Sequence, residues 1–79
     1  MPDLIPLELV PCGAWAEVAD VTGESGWVGR LAEMGIRSGS RVHMLQAGSP
    51  CIFQINGCRL SLRGDLAMQI LVRPLAAVS

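Results

Sequence analysis

The sequence predicts a small, mainly β, partly open barrel of five short strands, with one short helix inserted after the first strand. Three observations carry that prediction. Glycine and proline, 9 and 5 of the 79 residues, interrupt the chain too often for long helices. Apolar and polar residues alternate over several short stretches. The dipeptide Asn56-Gly57 lies between two such stretches, where a two-residue hairpin turn belongs.

Residues 4–10 are apolar with Pro6 among them and read as an irregular lead-in or a single helical turn. Pro11-Cys12-Gly13 is a turn signal. Residues 14–21 form the first strand, with Ala16 and Val18, joined by Val21, facing in and Trp15, Glu17 and Ala19 facing out. A loop over 22–26 follows, and Ser25 or a residue beside it is placed to cap a helix over 27–34. Val28, Leu31 and Met34, with Trp27 beside them, share one face of that helix, and Arg30 and Glu33 share the other. Gly35 stands where a left-handed helix end requires a residue without Cβ.

A tight turn over 37–40 leads into a strand over 41–46, with Val42 and Met44 inward and Arg41, His43 and Leu45 outward. Pairing outward from Asn56-Gly57 sets Ile55 opposite Cys58, Phe53 opposite Leu60 and Cys51 opposite Leu62, all on one apolar face. A slip by one residue would bury two arginines, so the register is strongly specified. Residues 63–69 have room for one helical turn. Residues 70–73 form the last strand, ended by Pro74, and 75–79 are expected to fray.

The 79 residues make one domain, 1–79. Hydrophobic residues are 51% and charged residues 16%, so most of the apolar set must go inside. The mean hydropathy of +0.44 raises the question of a membrane span. Charged, Gly or Pro residues break every apolar run short of the ~18 residues a helix needs, so no membrane insertion is expected. Surplus apolar surface is available for a partner or for a second copy of the chain as a homodimer. Net charge is −1 and the six basic residues are scattered, which argues against a nucleic-acid partner. The N-terminus lacks the basic and apolar regions of a signal peptide, so a cytoplasmic location is expected. The three cysteines include no C-x-x-C pair and read as free thiols. Cys51 and Cys58 share the core face about 13 Å apart at roughly 3.3 Å per residue, too far for a disulfide or a shared ion. They read as buried small apolar side chains.

No nucleophile, acid–base pair or ligand cluster is gathered by the pattern, so the chain is not expected to be an enzyme. His43, outward on its strand, and Cys12, in a turn, are weak metal candidates that would take zinc as readily as iron. No cofactor is required; such Zn or Fe binding would be weak or adventitious. Trp15 either covers a barrel edge or anchors an interface, a role in which Trp is enriched. Arg30, Glu33 and Arg37 form a polar surface at the helix end, either solvated or a docking patch. With Trp15 and His43 they are the candidate partner-binding residues.

The segment Arg30-Leu31-Ala32-Glu33-Met34-Gly35-Ile36-Arg37-Ser38-Gly39-Ser40-Arg41-Val42 resembles the FeoA family: an Arg-Leu helix end, a Gly-Ile step, a second Gly and then a strand. Gly48-Ser49-Pro50 before the hairpin is similar as well. So are Leu60-Ser61-Leu62-Arg63, Ala67 and Ile70-Leu71-Val72 in order, with Gly13 ahead of the first strand. Trp15, Trp27 and the cysteines lie outside that pattern. The resemblance implies an SH3-like barrel and a cytoplasmic accessory role in ferrous iron transport and iron homeostasis. Its partner would be FeoB, a membrane permease with a GTPase domain, reached by protein–protein interaction. It also implies kinship with the SH3-like C-terminal domain of iron-dependent repressors, so a metal-responsive regulatory domain is the alternative. Too few aromatic residues are present to line a proline-rich-peptide groove.

Overall fold

The computed structural model describes residues 4–75. Its strands are β1 (Ile5–Pro6), β2 (Trp15–Val21), β3 (Arg41–Gln46), β4 (Cys51–Ile55), β5 (Cys58–Leu62) and β6 (Ile70–Pro74). A 3₁₀ turn over Leu7–Leu9 follows β1. Helix α1 (Ser25–Glu33) joins β2 to β3, and the four-residue α2 (Gly64–Ala67) joins β5 to β6. All strands belong to one antiparallel sheet in the order β1-β6-β2-β3-β4-β5, with β1 and β5 as its edges. The expected count of five strands is therefore corrected to six, in an open sheet. The extra strand is only two residues long and contains Pro6, so it has no alternation to read; its edge position is where a sheet tolerates proline.

Alternation builds the interior. Ala16 and Val18 of β2, Val42 and Met44 of β3, Cys51, Phe53 and Ile55 of β4, and Ile70 and Val72 of β6 are all buried in one cluster. Leu7, Val10, Leu31, Ile36 and Ala67 close it from the connections. The hairpin has the register the apolar pattern demands, Ile55 opposite Cys58 through Cys51 opposite Leu62. At its tip Asn56 and Gly57 both have positive φ, 51° and 79°, as a type I′ turn requires.

Helix α1 ends in a Schellman motif. The Ile36 N–H bonds to the Leu31 carbonyl at 2.8 Å and the Gly35 N–H to Ala32 at 3.0 Å. Gly35 has φ +95°, and a Cβ there would collide with the Asn56 side-chain amide. Leu31 and Ile36, the pair this motif brings together, are both buried.

Several expectations are corrected. The helix begins at Ser25 with Glu24 as its N-cap, because the first helical bond already runs from the Val28 N–H to the Glu24 carbonyl. Met34 is 46% exposed, since the chain reverses at Gly35 and Ile36 takes the core position instead. Cys58 is exposed: it follows the hairpin tip on an edge strand, where nothing lies over it, and only Leu60 and Leu62 of β5 pack against the core. Leu75 continues the β2–β6 pairing one residue past Pro74, its N–H donating to the Trp15 carbonyl at 3.0 Å. The rest of the tail expected to fray, 76–79, lies outside the described residues.

Candidate functional site

Strand pairing assembles on the outer sheet face what the sequence keeps far apart. Trp15 lies opposite His43, His43 opposite Gln54, and Gln54 opposite Arg59, one row across β2, β3, β4 and β5. In the neighbouring row Arg73 lies opposite Glu17, and Glu17 opposite Arg41. The Trp15 and His43 rings stack with centroids 4.5 Å apart and planes 7° from parallel. Trp15 nevertheless remains 50% exposed.

Glu17 stands between two arginines and bonds one of them. Arg73 Nη1 donates to Glu17 Oε1 at 2.9 Å. Arg41 is left without an ion-pair partner among the described residues.

An open groove of about 620 Å³ borders this face. Trp15 and Arg41 form its sheet side, the turn carrying Arg37, Ser38, Gly39 and Ser40 its second side, and Asn56 at the hairpin tip its end. The turn is held rigidly. Gly39 N–H donates to the Val18 carbonyl and Val18 N–H to the Ser40 carbonyl, each at 2.7 Å. Ser40 Oγ donates to the Gly35 carbonyl at 2.6 Å, which ties the turn to the end of α1. The groove contains two arginines and no acid. A smaller recess between α1 and α2, lined by Glu24, Trp27, Leu66 and Gln69, carries an acid and no base.

Of the candidate residues, Trp15, Arg37 and His43 are thus brought to one region. Arg30 and Glu33 are exposed on α1 and do not line the groove. Sequence reading overlooked Arg41 and Asn56. The outward alternation of Arg41 and the placement of Asn56 in the turn were readable, but their convergence depends on how β3 and the hairpin pair.

The metal candidates are engaged by backbone. His43 Nε2 is 3.2 Å from the Gly13 carbonyl oxygen, and Cys12 Sγ donates to the Leu45 carbonyl at 3.0 Å. Among the described residues no three His, Cys, Asp or Glu side chains gather as a metal site. Burial pushes the Cys51 thiol above its ordinary pKa, assisted by the charge of Glu8, so it stays protonated in the core.

An open six-stranded antiparallel sheet with one helix in the β2–β3 connection and a solvent-facing aromatic–arginine groove defines a small, mainly β domain. The FeoA domain family matches residues 5–74, and the chain belongs to that family, which is associated with ferrous iron transport. It is similar to FeoA from Chlorobium tepidum, at 29% identity over 95% of this chain and 74% of that one, TM-score 0.84. It is also similar to Stenotrophomonas maltophilia FeoA, a zinc complex described as a procaryotic SH3 domain protein (27% identity, 84% of this chain and 86% of that one, TM-score 0.73). The fold is SH3-like in this sense. A manganese-dependent transcriptional repressor in complex with manganese shares the fold at 22% identity and TM-score 0.83, over 95% of this chain and 38% of that one. No curated protein sequence matches the chain. No described helix is long and apolar enough to cross a membrane.

Proposed function

We propose that this chain is a non-enzymatic, cytoplasmic accessory module of bacterial ferrous iron uptake that docks on the cytosolic part of an FeoB-type membrane permease. Membership of the FeoA family supports the pathway. The observation that supports docking is the half-exposed Trp15, held flat against His43 beside a groove with two arginines. A rigid aromatic anchor beside arginine is the composition that carries binding energy in protein interfaces. The module acts by preferring one conformation of the transporter, which shifts that population.

The test is retention of the transporter's purified cytosolic domain on the immobilised chain, with Trp15→Ala as comparison. Retention by the wild type and loss on Trp15→Ala is expected, together with reduced ferrous iron uptake in cells carrying the variant. A cytosolic domain that ignores the wild-type chain, or binds both alike, overturns the docking site.

The metal-responsive alternative rests on the zinc complex of the Stenotrophomonas relative and the fold shared with the manganese-dependent repressor. The backbone contacts of His43 and Cys12 favour reading Zn or Fe binding in this chain as adventitious. Anaerobic titration decides between them: a stoichiometric site lost on His43→Ala would restore the regulatory reading.

A further inference from the structure

The geometry points to an acidic peptide segment as the occupant of the groove: an extended stretch of the partner with two carboxylates flanking an apolar side chain, the carboxylates meeting Arg37 and Arg41 and the apolar side chain covering Trp15. This rests on the docking reading above and deepens it by naming the chemistry of what docks.

Charge placement carries the inference. The chain as a whole has net charge −1, yet the groove lining holds two arginines and no acid. Arg41 has an acid directly across the strand pair in Glu17, but the Arg73 guanidinium on the other side of Glu17 holds that carboxylate. Arg37 likewise has no ion pair among the described residues. Two guanidinium groups are thus left on one rigid turn and the strand it enters, each able to take a carboxylate oxygen on planar N–H donors. Arg59, at the far end of the Trp15–His43–Gln54 row, adds positive charge to the same face.

Shape narrows the occupant further. The groove is open, so an extended segment can lie along it. Half the Trp15 surface is available to an aliphatic or proline side chain. Asn56 at the end of the groove supplies an amide able to bond a peptide group. A nucleic acid is disfavoured by the same charges. Its affinity grows with the number of phosphates neutralised, and a chain of net charge −1 without lysine offers few such contacts.

The test is a titration of the ¹⁵N-labelled full chain with a capped peptide carrying Asp-Leu-Asp, its Asn-Leu-Asn counterpart, and a short single-stranded oligonucleotide, followed by amide shifts. Saturable shifts with the acidic peptide are expected at residues 37–43 and around Trp15 and Asn56, weakening several-fold between low and high salt. Arg37→Gln and Arg41→Gln should each weaken binding about threefold, the size of an exposed ion pair. Arg30→Gln, on α1 outside the groove, should leave it unchanged. Equal shifts with the Asn peptide, no saturable shift, tighter binding of the oligonucleotide, or indifference to both groove variants overturns the inference.

The same variants separate this inference from the docking reading. A transporter domain that binds the wild type and the Arg37→Gln, Arg41→Gln double variant alike leaves docking standing and removes the acidic segment. An acidic peptide that binds while the transporter domain does not leaves the groove chemistry standing and removes the transporter as its source.

Discussion

The two faces of the sheet are built on different rules. The inner face is apolar: its buried side chains, from Ala16 and Val18 to Phe53 and Val72, are hydrophobic, and no polar or charged residue is buried among the described residues. The outer face carries Trp15, Glu17, Arg41, His43, Gln54, Arg59 and Arg73 in two cross-strand rows. The inner face needs each residue only to be apolar and of suitable size, which alternation alone ensures. The outer face depends on which residue meets which, and that is a property of register and strand order. One face therefore sets stability, and the other carries the groove proposed for recognition. Substitutions should separate the two.

The largest effect is expected inside. Phe53 is among the largest fully buried side chains. Phe53→Ala should lower unfolding free energy by about 3–5 kcal/mol through lost transfer energy and a residual cavity, measured by denaturant titration. Cys51 provides an internal monitor two residues away. In the native wild type a thiol reagent should modify exposed Cys12 and Cys58 readily and buried, protonated Cys51 only after opening; in Phe53→Ala the Cys51 reaction should accelerate. A variant of wild-type stability would show that the inner face is less tightly determined than its burial implies.

A smaller loss is expected where the core meets the groove. Gly35→Ala forces a side chain into a positive φ and against the Asn56 amide, and should cost at least about 1–2 kcal/mol. Gly35 anchors the Ser40 hydroxyl through its carbonyl, so the substitution should also disturb the 37–40 turn and weaken groove binding. Loss of stability without loss of binding would show that the turn is fixed by β2 alone, through Val18.

How much of this was legible follows the same division. The hairpin register, the α1 stop at Gly35 and the inward residues of β2 and β3 were readable, because each is fixed by neighbours in sequence: alternation, a turn dipeptide, a helix-ending glycine. Cys58 was misread because alternation tells which side a residue faces and not whether anything lies over it. Met34 was misread because helical spacing was carried one residue past the last helical position. The strand β1 was missed because two residues have no period. Trp15, Arg37 and His43 were singled out by outwardness, but Arg41 and Asn56 enter only once β3 is known to lie between β2 and β4. The pairing of Glu17 with Arg73, 56 positions apart, had no local signal at all.

That ion pair gives a sharper test of the outer face. Glu17→Gln removes a contact whose partners are 31% and 42% exposed, so the stability loss should be only about 0.2–1 kcal/mol. The same substitution removes the only acid of the two rows, and acidic-peptide binding should tighten rather than weaken, read in the titration described above. Unchanged binding would mean that Glu17 and Arg73 stand too far from the groove to affect it.

The smallest effect is expected at Arg63 and Asp65, a pair remote from both rows. Arg63 donates from Nη2 to Asp65 Oδ2 at 3.0 Å and from Nε to Oδ1 at 3.3 Å, with both side chains largely exposed. The Arg63 hydrogen bonds hold the Asp65 carboxyl below the usual carboxylate pKa. The folded value lies below the unfolded one. Its contribution to stability is therefore complete above the ordinary carboxylate range and is lost as pH falls through the depressed folded value, with no change near neutrality. NMR titration of the Asp65 carboxyl should give a midpoint below that of an unpaired aspartate, returning toward it in Arg63→Gln and in high salt. A midpoint indifferent to Arg63 would leave the pair without thermodynamic effect, as many exposed ion pairs are.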